Sequence, residues 1–466
     1  MSEYFQVAVI GTGPGGYIAA LKAAQLGATV AVIEKHQYVG GTCLNYGCIP
    51  SKALLASADL LHKIKNANTL GVKVDGSVSY DWPAIQQRKD KVLAKLRGGI
   101  KGLFTSRKVK LFQAEAKFAG QGKLQLADQA GQIQEITADN IIIACGSIPS
   151  VIPGWPTDKN FVCTSDEALH WQQLPKRLLI VGGGVIGCEF ACMMVEFGVE
   201  VSIVEMMPGL LPEMEAELGQ GLAGIFKKRN INIFTGVKVE NLEIAGDAVK
   251  ATITGGQVIE ADKVLVSTGR RPNTAQLGLE TVGIQTDRGF IRVNDKMQTA
   301  VNGVYCIGDA NGRCLLAHAA SAQAVVAVEN ALGHNSDFNL PVPYAVYTFP
   351  EIASVGITVK QAQDRNIPVK IGKFPIGYLG KAMAVGEEAG FVSVIRNADS
   401  GELLGVHILG HNATEMIHSA AAMIGMKGSA KDLAEMIFAH PTMSEAVKEA
   451  AEDSFGAALH LPAKKI

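Results

Sequence analysis

The sequence predicts an α/β chain of several domains, two of them built on one strand–glycine turn–helix–strand unit. Three observations predict it: a glycine-punctuated unit opens the chain, a second copy begins near residue 178, and 466 residues exceed what one core normally organises. In the first copy, Gln6–Gly11 reads as a short buried strand, followed by a turn containing Gly11, Gly13 and Gly16. An alanine-rich helical run then reaches Gly27, and a second strand, Thr29–Ile33, ends at Glu34. The first glycine permits the tight turn, the second lets backbone approach a pyrophosphate, and the third lets helix and strand pack closely. The helix N-terminus is then aimed at the phosphates, and Glu34 can accept from ribose hydroxyls.

The second copy opens at Leu178–Gly182, with glycines at Gly182, Gly184 and Gly187 and a strand, Glu200–Val204, ending at Glu205. Glu34 lies 18 residues past Gly16, Glu205 lies 18 past Gly187, and the two copies are offset by 171 at both ends. One such glycine pattern is a weak signal in a glycine-rich chain. Two in equal register, each after a strand and before an acid, predict two Rossmann-like dinucleotide sites, and hence electron transfer between two dinucleotides. The second site is expected to take NAD over NADP: Met206, Met207 and Pro208 follow Glu205, with no cation for a 2′-phosphate.

Composition excludes other classes. Hydrophobic residues at 48% and charged residues at 19% describe a globular chain. A formal net charge of −1 supplies no field for nucleic acid or an acidic membrane, and Arg88–Lys91 and Arg107–Lys110 read as solvated faces. No apolar run reaches the roughly 18 residues of a membrane span. The N-terminus runs straight into the first glycine motif without a signal-peptide pattern. Eight scattered cysteines are too sparse for a secreted disulfide framework, so a reducing compartment, the cytoplasm, is expected.

Only Cys43 and Cys48 stand at a short, glycine-flanked spacing, in Gly41-Thr42-Cys43-Leu44-Asn45-Tyr46-Gly47-Cys48-Ile49-Pro50-Ser51-Lys52. No second Cys/His pair follows at ligand spacing, so zinc is disfavoured and no metal is expected. Residues five apart in a regular helix rise about 7.5 Å, beyond the roughly 4.4–6.8 Å of a disulfide. Gly47 and Pro50 therefore imply a distorted segment with Cys48 at a helix N-terminus, a position that lowers a thiol pKa. Two buried free thiols are the plainer alternative.

This segment resembles the redox centre of the pyridine-nucleotide disulfide oxidoreductases. Ala144–Pro149 resembles that family's crossover to the NAD domain, with Cys145 in place of the usual Thr, and Thr268–Asn273 resembles the return crossover. Ile307–Ala310 resembles its second FAD motif, and His440–Glu445 its acid–base segment. The resemblance spans essentially the whole chain. It implies two Rossmann-like dinucleotide-binding domains plus a C-terminal α+β dimerisation domain: an FAD-binding domain over 1–147, an NAD-binding domain over 148–269, a central domain over 270–345 completing the FAD site, and an interface domain over 346–466. It also implies FAD and NAD as cofactors and a redox-active Cys43–Cys48 disulfide. Cys43 would face the substrate and Cys48 the flavin. Lys52 would lie at the flavin edge paired with Glu189, and Asp309 would bind the ribityl chain. Ala116, Ser147 and Ala317 would assist at FAD, while Val239 and Gly269 would serve the nucleotide sites. His440 would act as general base, oriented by Glu445 and supplied by the partner of a homodimer; a histidine suits that task because it ionises near working pH.

The activity implied is oxidation of protein-bound dihydrolipoamide by NAD. The partners implied are lipoyl domains of 2-oxo-acid dehydrogenase complexes or a glycine-cleavage carrier protein. Glutathione reduction is the nearest rival, but it would call for basic residues after the second nucleotide strand. A mercuric reductase would carry a terminal cysteine pair, and a soluble transhydrogenase would lack one of the two motif cysteines. A non-catalytic nucleotide-binding scaffold would need none of Cys43, Cys48 or His440.

Overall fold

A computed structural model describes residues 2–156 and 158–462. The chain forms two compact units: 1–53, 83–150 and 269–339 make the first, and 54–82, 151–268 and 340–466 the second.

The first unit is organised by a sheet whose strands run Lys110–Gln113, Val30–Glu34, Glu3–Ile10, Ile133–Ile143, Lys123–Ala127 and Glu115–Gly120 in spatial order. Along Glu3–Ile10, side chains alternate between two cores, Phe5, Ala8 and Ile10 on one face and Val7 and Val9 on the other. The long strand Ile133–Ile143 changes partners along its length. Its first half pairs antiparallel with Lys123–Ala127, and its last three residues pair parallel with Val304–Cys306. That exchange brings a segment 163 residues downstream to the carboxyl end of the sheet, where ligands sit in α/β folds. The two crossovers also meet, Ser147–Pro149 pairing antiparallel with Arg270–Pro272.

Two details depart from the sequence reading. Trp82–Ser106 is one helix of 25 residues that runs through Gly98 and Gly99, where Asp81–Arg107 reads in sequence as a pair of helical stretches. Each glycine costs a helix about 1 kcal/mol, but Leu93, Ile100 and Phe104 continue one buried stripe across them, and packing outweighs propensity. Lys89 is not part of a solvated face either. Its side chain is 1% exposed, with Nζ donating to Gln86 Oε1 at 2.6 Å and 3.2 Å from Asp90, and burial lowers its pKa.

The second unit repeats the nucleotide-binding arrangement in a parallel sheet ordered Asn232–Thr235, Glu200–Glu205, Arg177–Val181, Lys263–Val266 and Val162–Thr164. A three-stranded antiparallel sheet over 239–261 packs on it through Leu242, Val249 and Ala251. The same unit holds a five-stranded antiparallel sheet over 344–410. Val355, Val392, Val406 and Ile408 of this sheet bury against helices Ala413–Gly425, Ala430–Glu435 and Glu445–Asp453. No described helix is long and apolar enough to cross a membrane.

Candidate active site

Both glycine turns are built alike. A Cβ on Gly11 would lie 2.5 Å from the Ala144 carbonyl oxygen, and one on Gly182 would lie 2.5 Å from that of Ser267. Both residues have positive φ, 101° and 109°, which favours glycine. A Cβ on Gly16 would meet the Gly11 oxygen at 2.0 Å, and one on Gly187 the Gly182 oxygen at 2.0 Å. The middle glycines differ: a Cβ on Gly13 meets nothing nearer than 4.0 Å, and one on Gly184 nothing at all. Each caps its helix, Pro14–Gln25 or Val185–Glu196, and itself supplies no side chain to the first-turn N–H groups. Open backbone at an uncapped helix N-terminus fits a pyrophosphate. The two acids also match. Buried Glu34 accepts from the Thr12 N–H at 3.1 Å, the Thr12 hydroxyl and the His36 N–H at 2.9 Å. Buried Glu205 accepts from the Gly183 N–H at 2.6 Å and the Met207 N–H at 2.7 Å. Each carboxylate thus ties down its own glycine loop.

The cysteine segment sits directly on the first loop. Gly41 packs so closely on Gly13 that a Cβ would lie 2.5 Å from the Gly13 Cα, and the Gly40 N–H donates to the Thr12 carbonyl and hydroxyl. A short helix, Gly41–Tyr46, carries Cys43; Gly47 breaks it, and Cys48 starts the helix Cys48–Lys65. At the break, a Cβ on Gly47 would come within 3.4 Å of the Cys43 Cα. The chain has folded back, and the two thiols lie within hydrogen-bonding reach. That hydrogen bond and burial push the Cys43 thiol up, while the Lys52 ammonium opposes the shift. Cys48 is the exposed member of the eight cysteines. Burial pushes the thiols of Cys145 and Cys163 up to about 12, and those of Cys188, Cys192 and Cys306 up as well, which leaves them poor nucleophiles. Asn45, between the two cysteines, donates to the Val39 and Gly41 carbonyls and accepts from Arg97 Nε at 2.6 Å, holding the short helix.

Asp309 lies in the single turn Gly308–Asn311 that follows Val304–Cys306. Ser147 donates its hydroxyl to Asp309 at 2.5 Å and accepts from Arg270 Nε at 2.7 Å, so both crossovers converge on this carboxyl. Burial pushes Asp309 up, against Ser147 and Arg270. Ala317 begins the helix Ala317–Ala331, again without a side-chain cap. Ala116 lies in Glu115–Gly120, with its methyl in the core.

In the second unit, Glu189 is buried on the helix Val185–Glu196 and accepts from the Tyr347 N–H at 3.0 Å. Val239 starts the small antiparallel sheet, and Gly269, in the first unit, accepts from the Ser150 N–H at a φ of 116°. His440 Nδ1 meets Glu445 Oε1 at 2.9 Å, and Glu445 Oε2 accepts from the Thr442 N–H at 2.8 Å. Burial raises the Glu445 carboxyl, but the Thr442 N–H and His440 outweigh it and hold it below the usual range. The His440 side chain is 78% exposed.

Residues 5–324 match the family model for pyridine nucleotide-disulphide oxidoreductases, and residues 342–451 match the model for their dimerisation domain. The chain belongs to this family. Pyridine nucleotide-disulphide oxidoreductases similar to it include a dihydrolipoyl dehydrogenase of Chlamydia muridarum, 40% identical over 99% of both chains. A mitochondrial dihydrolipoyl dehydrogenase of Pisum sativum is 40% identical over 99% of this chain and 93% of its own. The crystal structure of LpdA from Mycobacterium tuberculosis superimposes with a TM-score of 0.89 at 28% identity, covering 97% of this chain and 99% of its own. The dimerisation domain contains the His440–Glu445 pair.

Three contributors escaped the sequence reading: Thr12, which joins Glu34 to Gly40; Asn45; and Arg270, which donates to Ser147 beside Asp309. Thr12 and Asn45 stand inside quoted motifs, and their buried polar side chains are the signal that could have flagged them.

Proposed function

We propose that the chain is an NAD-dependent dihydrolipoyl dehydrogenase, and that Cys43 and Cys48 cycle between disulfide and dithiol. The observation that supports this reading is the break at Gly47, across which the Cys43 and Cys48 thiols hydrogen-bond, in a segment whose Gly41 packs on Gly13 of the first nucleotide loop. FAD, held by the Gly11–Gly16 loop, Glu34 and Asp309, and NAD, held by the Gly182–Gly187 loop and Glu205, together supply the two-electron path away from the cysteines.

His440, kept in orientation by anionic Glu445, takes a proton from one thiol of the substrate. The resulting thiolate attacks Cys43; the Cys43–Cys48 bond breaks and Cys48 leaves as a thiolate at a helix N-terminus, near the Lys52 cation. The second substrate thiol then displaces Cys43, closing the lipoyl ring and leaving both cysteines reduced. Glu205, followed by exposed Met206 and Met207, selects NAD.

The active form is a homodimer in which His440 of one subunit serves the cysteines of the other. Its exposure in the single chain and the matched dimerisation domain support this. The dihydrolipoyl donor is a lipoyl domain of a 2-oxo-acid dehydrogenase complex or a glycine-cleavage carrier, and the compartment is the cytoplasm. The test is turnover of dihydrolipoamide against glutathione disulfide, each with NAD(H) and NADP(H). Dihydrolipoamide with NAD is expected to dominate; preference for glutathione disulfide with NADPH would overturn the reading.

A further inference from the structure

We propose that Glu449 and His460 form a second histidine–carboxylate pair that tunes the His440–Glu445 pair electrostatically, making both positioning residues for the dithiol half-reaction. The inference rests on His440 being the acid–base group, as proposed above.

On the helix Glu445–Asp453, Glu445 and Glu449 stand one turn apart, which places them on the same face. Each meets a histidine from outside the helix: Glu445 meets His440, from the turn before it, and Glu449 meets His460, from the segment after it. The second contact is the tighter, His460 Nδ1 to Glu449 Oε1 at 2.6 Å. Glu449 is 6% exposed, and its Oε2 finds no hydrogen-bond partner among the described residues. A buried carboxylate with one unsatisfied oxygen depends on whatever charge it does meet. His460 is the group it meets. Other charges on and around the helix are engaged elsewhere: Lys448 with Glu452, Lys373 with Glu217, Lys431 with Glu435, Asp432 with its cap Ser429, and Arg396 with the Ser454 carbonyl. The influence reaches the first pair, since His460 is among the groups that hold the Glu445 carboxyl down.

Charge sign makes the proposal testable. With Glu445 and Glu449 one helical turn apart, removing a positive charge from the second pair should favour the protonated form of the base, and removing a negative one should disfavour it. At an effective dielectric between protein surface and water, the change is roughly half a pH unit. The experiment uses the FAD-loaded dimer and records kcat/KM for dihydrolipoamide against pH in wild type, His460→Gln and Glu449→Gln. NADH reduction of an artificial acceptor serves as the folding control. The rising limb is expected to move up in His460→Gln and down in Glu449→Gln. Limbs that stay put, or move the same way, overturn the proposal. Should His460→Gln fail to hold FAD, Glu449→Gln decides alone: a limb moved down supports the proposal, and one unmoved or moved up overturns it. His440→Gln in parallel separates the underlying reading, which fails if that variant keeps full dihydrolipoamide turnover.

Discussion

Alanine at Gly184 and alanine at Gly187 should damage the second nucleotide site for different reasons. At Gly187 the new methyl would lie 2.0 Å from the Gly182 carbonyl oxygen, with Ser267 Oγ and Ile180 Cγ2 also near, at 3.0 and 3.1 Å. Ordinary contact is about 3.4 Å or more, so the helix Val185–Glu196 must retreat from its strand by more than about 1 Å. Overpacking of this kind costs about 1–3 kcal/mol. Gly187→Ala should therefore lower the melting temperature, and with the helix end displaced it should weaken NAD about tenfold to a hundredfold. Gly184 has φ −74° and ψ −171°, a conformation any residue adopts, and a Cβ there meets nothing within 4 Å. Gly184→Ala should leave the melting temperature unchanged, because the protein alone has no objection to it. Its methyl should instead obstruct a charge-assisted hydrogen bond to pyrophosphate, worth about 1.5–3 kcal/mol, and raise the KM for NAD about tenfold or more. Melting curves paired with NAD titrations of both variants read out the difference. A Gly184→Ala enzyme with wild-type KM for NAD would refute the assignment of this loop as the phosphate cradle.

Other expectations follow the same logic. Cys48→Ser should abolish NAD-coupled dihydrolipoamide oxidation while FAD stays bound; a turnover assay showing retained activity would sink the disulfide role. His440→Gln should lose at least about a hundredfold in dihydrolipoamide turnover and keep artificial-acceptor reduction by NADH, whereas equal losses in both assays would indicate general damage. Glu205→Ala combined with Met206→Arg should raise the NADP to NAD ratio of kcat/KM about tenfold. Total activity should fall, because Glu205 also holds the Gly183 and Met207 N–H groups; an unchanged ratio rejects the assignment. Burial would raise the Glu196 carboxyl, but His62 and Arg229 outweigh it and bring it to about 2. Its folded pKa is depressed, so the stability it contributes is present above its ordinary pKa near 4.5 and is lost as pH falls toward 2. The amount is on the order of 3 kcal/mol. Denaturant unfolding between pH 5 and 2 should fall less steeply with acid in Glu196→Gln than in wild type, and parallel curves would contradict this.

The repeated motif was legible because its constraints are local. A glycine that must lie against a carbonyl oxygen, as Gly16 and Gly187 do, cannot be anything else, and the spacing to Glu34 and Glu205 records the length of one helix and one strand. Features set by distant contacts were not legible. Nothing in the sequence around Lys89 distinguishes it from Arg88 or Lys91; its burial depends on how the helix Trp82–Ser106 is packed. The convergence of Ser147 and Arg270 on Asp309 depends on Ile133–Ile143 pairing with a strand 163 residues later. The cysteine segment lies between these cases. Its spacing required a distorted helix start, and the structure supplies one at Gly47, but the contact between Gly41 and Gly13 that places the sulfurs on the nucleotide loop is tertiary. His440 and Glu445, five residues apart, are close enough to pair through one turn, yet only the fold shows that Glu445 is fixed by the Thr442 N–H.

The proposed chemistry stands on Cys43 and Cys48 receiving electrons from the substrate dithiol. The most direct measurement is mass-spectrometric mapping of alkylated cysteines in the FAD-loaded enzyme, before and after one equivalent of dihydrolipoamide under anaerobic conditions without NAD. A peptide linked through Cys43 and Cys48 is expected before addition, and alkylation of both after it, with the other six cysteines unchanged. Alkylation of Cys43 and Cys48 that is already complete before addition, or that appears at other cysteines instead, would contradict it.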